Sequence, residues 1–178
     1  VNPSSFDSRL LKGHTDVVLA ASVSPCGRFV ATVSKDHTAR VWSTTTLKCV
    51  AVCEGHTEAV GALAFARREE QNKAMVAWFV TGSLDHSIKV WDVNGDAPQS
   101  TFTRREHSKD INALAVAPND TLVASAAQDR LVKLWQVRRT RGIGVHLEET
   151  GVLRGHRRGV WHVAFSPVDQ CLASAGAD

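Results

Sequence analysis

Four histidines, at positions 14, 56, 107 and 156, open four similar blocks of the 178-residue chain, at intervals of 42, 51 and 49 residues. Self-similarity at a period of 40 to 50 residues constrains the fold more than any local propensity, because each block must be one structural unit that buries its apolar face against the next. An Asp follows the His by 22 residues in three blocks (Asp36, Asp129, Asp178) and by 29 in the second (Asp85). That second block carries an insertion. A Trp follows the Asp by 6 residues at Trp42, Trp91 and Trp135, and a hydroxyl stands four residues before each Asp: Thr32, Thr81, Ser125 and Ser174.

Between these markers, apolar residues fall in short runs bounded by turn signals such as Ser24-Pro25-Cys26-Gly27 and Ala117-Pro118-Asn119-Asp120. Runs of this length between such punctuation predict short strands joined by tight turns. In the third block the strands fall near 111–116, 121–126 and 131–136. A fourth, outer strand precedes the next His, as at Leu47 to Cys53 and His146 to Leu153. Four strands per block is the blade of a β-propeller, so the expected fold is all-β.

The Gly-His pairs Gly13-His14, Gly55-His56 and Gly155-His156, together with Trp42, Trp91-Asp92 and Trp135, resemble WD repeats from about residue 10 onward. Departures are small: Glu106 replaces the Gly in the third block, and Ser43 and Gln136 replace the Asp after Trp. The resemblance implies blades at about 13–54, 55–105, 106–154 and 155–178. It also implies a structural hydrogen-bond network in each: His14, Thr32, Asp36 and Trp42; His56, Thr81, Asp85 and Trp91; His107, Ser125, Asp129 and Trp135; and His156, Ser174 and Asp178. Ser, His and Asp together invite a catalytic-triad reading, but a catalytic set occurs once, whereas this one repeats in every block and includes a Trp donor. No enzyme is expected, and no cofactor, metal or small-molecule substrate.

A closed propeller needs about 4 to 8 blades. Three blades and half of a fourth cannot close, and the chain starts without Met, so it is expected to be an arc of a longer protein. Two exposed, charged insertions are expected, Ala66 to Lys73 in the first hairpin of the second blade and Arg138 to Gly144 in the third.

The four cysteines, Cys26, Cys49, Cys53 and Cys171, have neither CxxC nor paired zinc spacing and are expected as buried free thiols. No apolar run is long enough to span a bilayer, and the amino-terminal residues do not form a secretory signal, so a soluble intracellular protein is expected. Formal net charge is +3, and the surplus lies in residues 101–160, with 11 Lys and Arg against 6 Asp and Glu. A local excess of that kind favours an anionic partner. Loop position puts Lys109, Arg130, Arg157 and Arg158 on neighbouring blades of one face as candidate contacts to RNA phosphate or an acidic partner. Arg104, Arg105, Arg138, Arg139 and Arg141 are weaker candidates, and aromatic residues that could stack bases are scarce.

Two segments are more individual than the repeat demands: His107 to Leu114, running on to Asp120, and Gly155-His156-Arg157-Arg158-Gly159-Val160-Trp161. With Gln128-Asp129-Arg130 and Lys133-Leu134-Trp135, they resemble the second propeller of the transducin-beta-like, Utp-thirteen family of the small-subunit processome. That resemblance implies a nucleolar scaffold for pre-ribosomal RNA processing. Its partners would be other propeller subunits of a large ribonucleoprotein assembly, with backbone contacts to pre-rRNA or a small nucleolar RNA. The competing function is a substrate receptor of a cullin-type ubiquitin ligase. Trp135-Gln136-Val137-Arg138 approaches the Trp-Asp-x-Arg motif of such receptors, with Gln136 in place of the Asp.

Overall fold

The computed structural model describes residues 8–67, 78–92, 99–140 and 144–178. They form fourteen strands and no helix. The first sheet is β1 (Val18–Val23), β2 (Phe29–Ser34), β3 (Ala39–Ser43) and β4 (Cys49–Cys53), and the second is β5 (Val60–Phe65), β6 (Trp78–Ser83), β7 (Ser87–Asp92) and β8 (Gln99–Arg105). The third is β9 (Ile111–Val116), β10 (Leu122–Ala127), β11 (Val132–Thr140) and β12 (Gly144–Leu153); β13 (Val160–Phe165) and β14 (Leu172–Gly176) pair alone. Each four-stranded sheet is an antiparallel meander in chain order, and the sheets pack side by side through their first strands, β1 on β5, β5 on β9 and β9 on β13. This is the blade arrangement of a propeller.

The alternation of side chains along a strand decides which seam each residue fills. In β6, Trp78 and Val80 turn into the core shared with the third sheet, and the intervening Phe79 turns into the core shared with the first. A strand apolar on both faces must be covered on both sides, and all six residues of β6 are buried. Trp91 packs into the seam with the first sheet, its indole stacked on Phe79 at 6.4 Å between centroids, and Trp135 packs into the seam with the second. At Gly82 the sheets come so close that a Cβ would lie 2.6 Å from Ile111 Cγ2, which excludes any larger residue without movement of the seam.

The third sheet departs from expectation at its outer edge. Residues 138–140 are not loop: β11 continues through Thr140 and β12 begins at Gly144, so the outer hairpin is lengthened rather than the connection. Val137 faces Leu147 across the ladder, and Arg138 pairs with Glu148 at 3.1 Å, which favours extension of the ladder. Residues 141–143, Arg141 among them, and residues 68–73 of the insertion in the second blade lie outside the described residues. All four cysteines are free thiols; Cys53 is buried, Cys26 and Cys49 are half-buried, and Cys171 is exposed rather than buried, at the start of the last hairpin. No helix among the described residues is long and apolar enough to cross a membrane.

Candidate functional site: the histidine rim

In an antiparallel meander, the turn between the second and third strands and the loop to the next sheet emerge at the same end. The repeated His and Asp therefore share one rim. Within each blade the residue before the Asp ties the turn to the loop: the amides of Lys35, Leu84, Gln128 and Ala177 donate to the carbonyls of Val17, Ala59, Asp110 and Gly159 at 2.8 to 3.1 Å.

The side chains then close a relay. Asp129 Oδ2 is 2.8 Å from His107 Nδ1, His107 Nε2 is 2.7 Å from Ser125 Oγ, and Trp135 Nε1 donates to that hydroxyl at 2.9 Å. A carboxylate only accepts, so Nδ1 carries the ring proton; the hydroxyl donates to Nε2 and accepts from the indole. The second blade repeats this with His56 to Asp85 at 2.9 Å, His56 to Thr81 at 2.8 Å and Trp91 to Thr81 at 2.8 Å. In the first blade the distances are 2.7, 2.7 and 2.8 Å through His14, Asp36, Thr32 and Trp42. In the last, His156 reaches Asp178 at 2.8 Å and Ser174 at 2.9 Å.

The Asp also accepts backbone donors. Asp36 takes the amides of Thr15 and Thr38, Asp85 those of Thr57 and Ser87, Asp129 those of Ser108 and Leu131, and Asp178 that of Arg157. Burial is the largest single influence on the first three carboxyls and would raise their pKa. The combined hydrogen bonds from His and amides, joined by a hydroxyl at Asp36 and Asp85, outweigh it and hold all three below the ordinary carboxylate range. Burial lowers the pKa of His107, against the pull of Asp129, and so keeps its ring neutral.

This arrangement is poorly suited to nucleophilic chemistry. Thr81 and Ser125 are fully buried, and their lone pairs are occupied by an indole N–H. Among the described residues no group of three or more His, Cys, Asp or Glu gathers as metal ligands.

Sequence reading missed a further layer of hydroxyls. Thr38 and Ser87, two residues after the Asp, donate to it, and Ser34 and Ser83, two residues before it, bond the carbonyls of the preceding loop. The signal was present as Ser-x-Asp-x-Ser/Thr in blades one and two, an arrangement suited to local side-chain bonding in a turn. In blade three these positions are Ala127 and Leu131, so the motif does not repeat throughout and does not stand out.

The rim's remaining charges are uneven. Lys109 lies in the loop between β8 and β9, Arg130 in the turn between β10 and β11, and Arg157 and Arg158 in the loop between β12 and β13; all four are exposed. Arg154 joins them on the last of these loops. None of the five forms an ion pair among the described residues. Arg130 occupies a left-handed backbone position, φ 72°, as do His37 and His86 at the same place in their turns. The seam between the third and fourth blades is closely fitted here. Asn112 Nδ2 donates to Val160 O at 2.7 Å, and a Cβ at Gly159 would collide with Gln128 Oε1.

The weaker candidates are otherwise engaged. Arg104 pairs with Glu106 at 3.6 Å, and Arg105 Nε donates to Asp85 O at 2.7 Å, satisfying a carbonyl of its own blade's tight turn. Arg138 and Arg139 lie on the outer hairpin, far along β11 from the rim, beside an open groove between β8 and β12.

Comparison with known proteins agrees with this geometry. The family model for the WD domain, G-beta repeat, matches residues 7–43, 47–92, 98–136 and 147–178. Transducin beta-like protein 3 of Mus musculus is 40% identical over 173 residues, covering 88% of this chain and 20% of its own length. U3 small nucleolar RNA-associated protein 13 of Saccharomyces cerevisiae is 33% identical over 171 residues, 89% of this chain and 20% of its own. The Ribosome biogenesis protein WDR12 homolog of Nematostella vectensis is 27% identical over 68% of this chain and 28% of its own. The chain thus spans about a fifth of the length of the first two relatives. With repeat matches covering most of its length and a Trp, hydroxyl, His and Asp relay in each of its three four-stranded blades, the chain belongs to the WD40, G-beta repeat family.

Proposed function

We propose that this chain is part of a non-catalytic scaffold in a ribosome-biogenesis assembly, the nucleolar small-subunit processome, where it joins other propeller subunits around pre-ribosomal RNA. The observation that carries the reading is the similarity, across almost the whole chain, to a protein named for association with U3 small nucleolar RNA. The geometry is compatible with it. The recurrent polar residues are consumed in holding the blades, which leaves the rim side chains free to meet partners. On this reading Lys109, Arg130, Arg157 and Arg158 are contacts to RNA phosphate or to an acidic subunit, because cations without an internal partner retain their full attraction for an external one.

Affinity purification of the intact protein from nuclear extract tests the proposal. Recovery of processome propeller subunits with pre-ribosomal RNA is expected. Recovery of cullin adaptors without RNA would overturn it in favour of a ligase receptor, although Arg138, the basic residue of the near-motif, already pairs with Glu148.

A further inference from the structure

Two residues before the repeat Trp of each four-stranded blade stands a cation: Arg40, Lys89 and Lys133. Alternation along β7 and β11 puts each lysine on the face of its Trp, so Lys89 turns toward the first blade and Lys133 toward the second. The two are withdrawn from water to a similar degree, 9% and 7% exposed, yet they meet different neighbours. Lys133 Nζ lies 2.7 Å from Glu149 Oε2. Glu149 stands across the ladder from Trp135, and the residue in that register beside Trp91 is Ser100. The second blade therefore lacks the carboxylate that the third supplies.

Lys89 Nζ donates to Thr103 Oγ1 at 3.0 Å, and Thr103 Oγ1 lies 3.2 Å from Ser100 Oγ. An ammonium carries three donors. Among the described residues no carboxylate comes within ion-pair distance of this one. Burial holds Lys89 below the ordinary lysine range, against the pull of Asp85 from farther off. A withdrawn charge with no counter-ion is costly, and an external carboxylate would relieve that cost.

The place is reachable, and its walls are both complete blades. β4 contributes Ala51 and Cys53 beside Trp91, while Ser100 and Thr103 on β8 are exposed at the outer mouth of the seam. The third blade shows that a carboxylate can enter, because Glu149, its side chain 35% exposed, reaches a lysine as withdrawn as Lys89. β8 is the outermost strand of its sheet, so an extended segment can lie along its open edge and send a side chain to the same place.

We propose that the outer seam between the first and second blades docks an acidic segment of a partner protein, one of whose Asp or Glu carboxylates pairs with Lys89 beside the Thr103 and Ser100 hydroxyls. The partner's carboxylate takes the place that Glu149 fills in the third blade. The site is separate from the basic rim. Recessed between two sheets and holding a single cation, it suits a carboxylate on a side-chain stem, whereas a phosphate backbone is held by several exposed cations in a row.

Fluorescence anisotropy of the intact protein with a labelled octaglutamate peptide, and with labelled oligouridine as the phosphate-bearing control, provides the test. Lys89→Met should weaken octaglutamate binding roughly 10- to 150-fold, the range for losing one hydrogen bond to a charged group, and leave oligouridine binding unchanged. Ser100→Glu builds the internal pair of the third blade and should weaken octaglutamate to a similar degree. Because Ser100 is exposed, this variant should keep its melting temperature, and it decides the matter if Lys89→Met fails to fold.

If octaglutamate binding survives both changes but falls with Arg157→Glu and Arg158→Glu, acidic peptide goes to the rim and the seam proposal fails while the basic rim stands. If it survives all of them, Lys89 is merely hydrated and no acidic partner docks there. If oligouridine loses as much as octaglutamate from Lys89→Met, the site takes phosphate and the assignment to acidic protein is wrong.

Discussion

Replacing Asp85 by Ala is the sharpest probe of what holds the blades. In the central blade Asp85 accepts from His56 Nδ1 at 2.9 Å, from the Thr57 amide at 3.0 Å and from the Ser87 amide at 2.8 Å, and it also accepts the Ser87 hydroxyl. Removing the carboxylate does not orphan all four. Thr57 is exposed, so its amide can turn to water, and Ser87 Oγ, already 3.1 Å from His56 Nδ1, can accept the ring N–H in place of the carboxylate. Two buried donors remain unpaired, the Ser87 hydroxyl and the Ser87 amide. At about 1 to 3 kcal/mol for each orphaned group, the cost is about 2 to 6 kcal/mol, with about 3 expected once relaxation is allowed. For a chain of this size that corresponds to a fall in Tm of about 6 to 12 °C. Urea and thermal unfolding of the intact protein, followed by circular dichroism, measure it. One comparison isolates the cause. A second change, His56→Leu, should add less to Asp85→Ala than it costs alone, because the ring has already lost its bond to the carboxylate. A cost below about 1 kcal/mol for Asp85→Ala, or simple additivity in the double variant, would refute the reasoning.

Acid should weaken the fold in two stages. Between about pH 6.5 and the lower pKa of folded His107, the unfolded chain binds a proton that the folded one resists, so some stability is lost first there. Below about pH 4 the loss steepens, because Asp36, Asp85 and Asp129 protonate readily only when unfolded. A urea midpoint unchanged between pH 7 and pH 3.5 would contradict both steps. Trp91→Phe should destabilise more than Trp78→Phe, since Trp91 Nε1 donates to Thr81 whereas the buried Trp78 Nε1 has no acceptor among the described residues; paired melting curves decide it. Arg130→Gly should leave Tm unchanged or slightly raised, because glycine accepts φ 72° without strain, while weakening polyanion binding; a marked loss of stability would show that the arginine is structural.

Much of the architecture is legible in sequence because the repeat samples the same constraints several times. His107, Ser125, Asp129 and Trp135 are separated by many residues, and matched spacing in the other blocks is what identifies them as one set. Strand ends were less legible. β11 runs to Thr140 because a partner strand is there to receive it, and cross-strand pairing such as Arg138 with Glu148 is invisible to a periodicity argument. Trp161 shows the opposite difficulty. It sits in an apolar run that reads as core, and only the register slip between Val160 and His162 turns it out of the ladder. A one-residue irregularity has no compositional signature, so the slip could not be read in advance.

The position of the tryptophans has a consequence for how the molecule assembles. Trp91 and Trp135 each lie in the seam with the blade that precedes them in the chain. Leaving the ribosome amino terminus first, each blade finds the surface that must cover its indole already built. Each of these two indoles is thus covered as its own blade folds, whereas Trp78, in the seam with the third sheet, stays open until the following blade arrives.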